Sequence, residues 1–461
     1  MRIGFGRIDL TPRVGVEMAG FGPFLNRHSI AVRDRLFARA IAVEHDGQTA
    51  VIVSCDLIGL YRPQVARIRE IVHAATGLSP AQVFVHCTHT HSAPSTGSLN
   101  GWGDPDMPYL EVLPGRVAQA VIDAVANLQP ATLSHAEVPC EGIGLNREWD
   151  QDAPPLDEVL REDWRPAHPE WTDTTCQVLA AHTLSGELLG FASYFGCHPV
   201  CLCEQCRYIC GDFVGVATNL LEREHPVARP RGSRGAVGLF LQGAQGDVNS
   251  CCVHKPEQEA LLALDVIAAR YARAVRRGLA EAKPIDVDTV RFASHQVAFT
   301  RREVDLDWVR ERIATQEAIL CAPGASDADY AVRLATVYAL GLRSFLSKAE
   351  ADLPQALSLS KGALPTEIHG LRFGPLTILG SPFEMFQEIK NDVRKEARSP
   401  LTMVCGITDD ELGYAPDRKT MAARADGYAA YEVALILGIV PFANLHDELV
   451  AAFLDVESAL Y

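Results

Sequence analysis

Three histidines, His86, His89 and His91, fall within six residues of the run from Phe84 to Pro94. The stretch leading into them, residues 81–86, is short, apolar and β-branched, and reads as a buried strand. Thr88, Ser92 and Pro94 break that pattern, so the imidazoles emerge at the strand's carboxyl end, where α/β proteins place their sites. Residues two apart in extended chain share a face and lie roughly 6.6 Å from each other. His89 and His91 can therefore address one pocket. Neutral imidazole is both a metal ligand and a base near neutral pH, so one ring can hold an ion while the other moves a proton or holds a substrate oxygen. Other residues with chemistry to offer also sit at strand ends and turns. They are Arg147 after a glycine-rich segment, His198 before Pro199, Asp247 and Asn249 in the turn 242–250, Glu384 at a helix start and Tyr414 in a loop.

The elements that position them follow from periodicity. Residues 3–10, 35–44 and 50–54 read as strands, 63–75 as a helix with Val65, Ile68, Ile71 and Val72 on one face, and 109–127 as a second helix. This β-α-β-α order predicts an α/β fold of layered mixed sheets flanked by helices. Downstream, 132–138 is a strand, 176–184 and 188–195 a hairpin, 211–224 a helix, 236–241 a buried strand and 257–282 a long amphipathic helix. Residues 305–321 and 326–352 predict two helices around Ala322, Pro323 and Gly324, a helical hairpin inserted into the sheet order. The expected organisation is one catalytic domain over 1–302 and 354–461, interrupted by a helical insertion over 303–353. That insertion could act as a lid or as a homo-oligomer contact. Strands at 366–373, 376–379 and 401–407 and a terminal helix at 444–460 complete the reading.

Composition narrows the partners. A chain of 461 residues with 48% hydrophobic and 22% charged residues is ordinary for a globular protein. Its net charge of −16 repels a phosphate backbone, which argues against nucleic acid. No apolar run reaches the roughly 18 residues of a membrane span. The first residues lack the apolar core of a signal peptide, so a cytoplasmic protein with reduced cysteines is expected. Five of the 13 cysteines, Cys197, Cys201, Cys203, Cys206 and Cys210, crowd around His198. They could hold zinc or an iron–sulfur cluster, but their spacing fits neither a zinc ribbon nor a ferredoxin run, and buried thiols are the plainer expectation.

Taken in order, the motifs resemble those of the neutral ceramidases, the zinc-dependent amidases of sphingolipid breakdown. The resemblance runs from Ile3 to about Glu432. Thr88 to Ser92 is similar to the family's Thr-His-Thr-His-Ser, Asn146 and Arg147 to its Asn-Arg, and His198 and Pro199 to its His-Pro. Gly211 and Asp212, Gly246 to Val248, Pro382 to Glu384, and Gly413 and Tyr414 are similar to further motifs. The resemblance implies zinc bound by His89, His198, Glu384 and Tyr414. It implies that His91 and Arg147 hold or protonate the substrate, and it places Asp247 and Asn249 in the catalytic turn. The chain departs from the family where Asn249 takes the place of the nucleophilic serine and Ser250 comes one residue late. A metal-activated water is then the expected nucleophile, with Asn249 as an oxyanion donor, and Ser250 with His91 as its base is the competing idea. Neither the signal nor the immunoglobulin-like domain of secreted ceramidases is expected. The expected substrate is a soluble small-molecule amide, ester or lactone. The alternatives are a metal-dependent lyase or isomerase on the same scaffold, or a cysteine-based metal or redox sensor.

Overall fold

Period-two alternation divides each strand between two cores. In Val83–Cys87, the residues Val83, Val85 and Cys87 face a helix-covered core, whereas Phe84 faces a core shared by two sheets. The computed structural model describes residues 1–21, 27–97, 103–150, 154–225, 235–326, 329–351 and 365–461. The larger sheet runs in the order Val237–Gln242, Leu188–Phe195, Thr175–Thr183, Gln129–Pro139, Arg2–Asp9, Phe37–His45, Gln48–Cys55 and Val83–Cys87, with Lys283–Ile285 added to Gln129–Pro139. Its two outermost pairings are parallel and the inner ones antiparallel. The sheet curls until its ends approach. Ser54 Oγ donates to Phe240 O at 2.6 Å, and the Gln242 N–H donates to His86 Nε2 at 2.8 Å. This curl brings the carboxyl ends of Val83–Cys87 and Leu188–Phe195 together, although more than 100 residues separate them in sequence.

A second sheet, Val290–Val297, Thr366–Phe373, Leu376–Gly380 and Leu401–Cys405, packs on the first. Its Leu371, Ile378 and Met403 share a core with Ile52, Phe84 and Leu239. Helices Arg62–Thr76 and Met107–Ala126 cover the other face of the large sheet over Ala40, Val51, Val53 and Val85. Helices Gln387–Glu396 and Leu445–Ala459 cover the second sheet through Ile389, Val393, Leu449 and Phe453. The fold is thus the layered α/β arrangement of mixed sheets that periodicity predicts. The expected helical hairpin is present as Leu306–Leu320 and Tyr330–Ala351, packed on Tyr431, Leu435 and Ile436. The domain boundary expected at 353 and 354 lies outside the described residues. The short helices Arg418–Arg424 and Val433–Ile436 were not legible, because neither is long enough to show a 3.6-residue period.

A buried charge network ties the two sheets beside the histidine strand. Asp409 Oδ1 accepts from the Val85 N–H and from Arg69, both at 2.9 Å, and its Oδ2 lies 2.7 Å from His369 Nδ1. Arg69 also reaches Glu367 at 2.9 Å and the Val83 carbonyl. Burial opposes charge on Asp409, but Arg69 and His369 outweigh it and hold the carboxyl below its ordinary value. A depressed folded-state pKa contributes stability that is complete above the unfolded value of about 3.9 and lost as pH falls through the folded value. Asp409→Ala is therefore expected to lower the unfolding free energy at pH 7 by about 3–5 kcal/mol, because it strands Arg69 without its partner. Urea titration measures this. The deficit should shrink as pH drops below about 4, and a pH-independent deficit would exclude the ion pair as its cause.

Candidate metal centre and active-site cavity

His89 leaves the strand end in a left-handed conformation, with φ at +66°. That conformation is costly for a residue with a Cβ and is found where function over-determines it. The His89 N–H donates to Leu57 O at 2.9 Å, and its Nδ1 lies 2.7 Å from Ile58 O. His198 follows Leu188–Phe195, and its Nδ1 lies 2.6 Å from Gln245 O. A neutral imidazole has one N–H, and facing a carbonyl it must stand on Nδ1. Each ring thus turns a bare Nε2 lone pair inward. Both lone pairs meet the same atom, Glu384 Oε2, at 3.2 Å from His89 and 2.8 Å from His198. Burial pushes His198 down to about 4, so it is neutral at pH 7.

Three acceptors therefore converge with no proton among them, which is the arrangement a cation resolves. His91 completes the group. Ligating atoms of His89, His91 and His198 all lie within 4.8 Å of one another. Both His91 ring nitrogens are buried and lack hydrogen-bond partners, and burial holds this imidazole well below its ordinary pKa. Gly20, at φ +82°, allows the ring to sit there, since a Cβ on it would lie 2.4 Å from His91 Nδ1. A second carboxylate–histidine group, Glu367, His369 and Asp409, has similar spacing, but Arg69 already supplies its positive charge. Among the described residues, neither group includes a cysteine.

The centre opens into a cavity of about 400 Å³ lined by His91, Arg147, His198, Asn249 and Tyr414. Its apolar walls include Phe21, Val200 and Ile436. The helix Tyr330–Ala351 adds Tyr330, Leu334, Val337 and Tyr338. Sequence reasoning left this insertion as a lid or an oligomer contact and named none of these four residues, although their spacing of four, three and one marks one helix face. Arg147 Cζ stacks 4.6 Å from the Tyr414 ring centroid, and burial, opposed by Tyr414 and Glu384, leaves the guanidinium charged. Burial raises the Tyr414 hydroxyl well above its ordinary value. The strand Val248–Ser250 alternates, so Asn249 faces the cavity and Ser250 does not. Ser250 Oγ lies 3.0 Å from Cys201 Sγ and accepts from the Cys252 N–H.

One further expectation is relocated. Asp247 is turned away from the cavity and accepts from the Asn146 side chain at 3.0 Å and the Gln387 N–H at 2.9 Å, so it ties the Arg147 and Glu384 segments together. Burial raises it to about 7. His86 lies where the large sheet closes on itself, accepting from the Gln242 N–H, and is pushed down to about 3 by burial.

A sequence profile described as neutral/alkaline non-lysosomal ceramidase, N-terminal, matches residues 1–260. The chain belongs to the neutral/alkaline non-lysosomal ceramidase family. Neutral ceramidase B and neutral ceramidase A of Dictyostelium discoideum are 25% identical over 260 residues and 26% identical over 265. Each match covers 54% of this chain and 35% of the relative, so the likeness spans about a third of those proteins. The fold is shared with neutral ceramidase from Pseudomonas aeruginosa at a TM-score of 0.73 and 19% identity, over all of this chain and 74% of that one. In this ceramidase-family chain, His89→Ala and His198→Ala should each empty the centre, since losing one of three or four ligands leaves a weak site. Elemental analysis of the purified variants tests this, and an ion retained at full occupancy in both would place it elsewhere.

Proposed function

We propose that this chain is a zinc-dependent hydrolase of acyl amides. The observation that carries the reading is the pair of bare imidazole nitrogens aimed at Glu384 Oε2 in the floor of a partly apolar cavity. Imidazole, imidazole and carboxylate form a common catalytic zinc set, and Tyr414 beside them is the fourth candidate. When bound, the ion would polarise a carbonyl and make a water acidic enough to attack near neutral pH.

The chain's own groups divide the remaining work. Arg147, positioned over the Tyr414 ring, presents a charged fork to a substrate oxygen. His91, neutral and unpartnered, takes a proton and returns it to the leaving nitrogen. The Asn249 carboxamide lies in the wall, where a neutral donor can stabilise the developing oxyanion. Ser250, hydrogen-bonded among cysteines, has no part in this scheme. Tyrosine and aliphatic side chains make up most of the wall, so a compact N-acyl amide with an apolar acyl group is the proposed substrate class. The membership in a ceramidase family supports an amide as the scissile bond.

A series of N-acyl amides of graded chain length tests the reading through release of the free amine. No turnover of any of them by the zinc-loaded protein would refute it. Arg147→Lys should reduce kcat by about 10–100-fold with zinc content unchanged, because a point charge cannot replace a bidentate fork. Ser250→Ala should stay within about threefold of wild type, whereas a nucleophilic serine would cost several orders of magnitude.

A further inference from the structure

Cys203 and Cys206 bracket Glu204 and Gln205 in a tight turn closed by the Cys206 N–H donating to Cys203 O at 3.0 Å. Their sulfurs lie 3.6 Å apart. Both thiols turn inward, while Gln205 and Arg207 of the same turn are exposed. We propose that Cys203 and Cys206 are a redox-active dithiol beside the active-site cavity, closed to a disulfide by exchange with a low-molecular-weight disulfide such as oxidised glutathione.

The chemistry is balanced by that oxidant. Both sulfurs are buried, so exchange requires the turn to open at the exposed Gln205 and Arg207; the Cys203 thiolate then attacks one sulfur of the small disulfide, forms a mixed disulfide and expels a thiolate. Cys206 then loses its proton and attacks Cys203 Sγ, the protein disulfide forms, and the second small thiolate leaves. Two protein thiols are oxidised and one small disulfide is reduced to two thiols. A hydrogen bond from Cys206, helped by backbone N–H groups and opposed by burial, holds Cys203 below the ordinary thiol value, which favours it as the attacking thiolate.

Competing pairs are less suited. Cys251 and Cys252 have sulfurs 3.7 Å apart, but they are consecutive residues. Consecutive Cα atoms stand about 3.8 Å apart, below the roughly 4.4–6.8 Å that a disulfide spans. Cys55 and Cys87 face each other across paired strands inside the helix-covered core, away from any exposed turn.

Two connections carry the state of this pair to the cavity. The buried Arg27 donates to both Cys203 O and Cys206 O and, through Nη1, to His91 O at 2.8 Å. Glu204, between the two cysteines, lies 2.9 Å from Nδ1 of His254, which lines the cavity. Closing the disulfide re-forms the turn that anchors Arg27 and Glu204, and so shifts the support of His91 and the rim at His254.

The full-length, metal-loaded protein is equilibrated with oxidised glutathione, quenched in acid, alkylated and cut with a protease that cleaves after Glu204. The cut separates the two cysteines, so the disulfide is expected as a linked peptide pair, two hydrogens lighter than the separate thiol peptides and released by reduction. Cys206→Ser should instead retain a glutathione adduct on Cys203. Hydrogen exchange of the oxidised protein should change in the peptide carrying His91 as well as in the turn. Cys203 left unmodified while the exposed Cys321 is fully glutathionylated would overturn the proposal, as would a disulfide between any other pair. A disulfide that forms with no change in exchange at His91 would overturn the link to the cavity.

Discussion

Two imidazole lone pairs aimed at one carboxylate oxygen are what the rest of this structure exists to hold. Left without a cation, His89, His198 and Glu384 present acceptors to acceptors in a buried place, where an unsatisfied arrangement is most costly. The protein meets that cost with rigid backbone. Carbonyls of Ile58 and Gln245 fix which nitrogen carries the proton, and Asp247 ties the turn after Val237–Gln242 to the backbone of Gln387, just beyond Glu384. The curl of the large sheet supplies the remaining condition by bringing two distant strand ends face to face.

The Glu367, His369 and Asp409 group shows the same residue types put to a different use. There Arg69 provides the positive charge from within the chain, and the result is a permanent joint between sheets. At the centre, what meets Glu384 Oε2 is the pair of imidazole lone pairs, and among the described residues no lysine or arginine forms an ion pair with it. A cluster of histidines and carboxylates is thus not a metal site by composition. The deciding feature is whether a side-chain cation already sits among the acceptors.

Much of this was legible in the sequence, for physical reasons that differ from residue to residue. Alternation along Val83–Cys87 exposed the strand, and the polar break after it marked where imidazoles would emerge. The same alternation put His89 and His91 on one face and left His86 out, but it could not show the left-handed turn at His89, because a backbone conformation leaves no mark on an otherwise ordinary residue. Glu384, His198 and Tyr414 were visible as polar residues at strand ends and turns, but only the ordered resemblance joined them into one set; the helix expected to start at Glu384 starts at Gln387, and Glu384 lies on the short strand Glu384–Met385 instead. Asp247 was read as part of the chemistry because it lies in the right turn. Its side chain points the other way, and the direction of a side chain in a tight turn is set by partners far off in sequence. The offset between Asn249 and Ser250 has a simple cause: on a strand, one residue is the difference between the cavity and the core.

The helical hairpin separates the tasks of the molecule along the chain. Its second helix, Tyr330–Ala351, supplies a wall of the cavity, whereas the groups that hold an ion or move a proton come from strand ends and turns elsewhere. Mutations in the hairpin can therefore reshape what fits without touching what reacts. Over evolutionary time such a division lets one centre be inherited intact while substrate preference drifts, so that relatives sharing every donor at the floor of the cavity can differ in the molecules they consume.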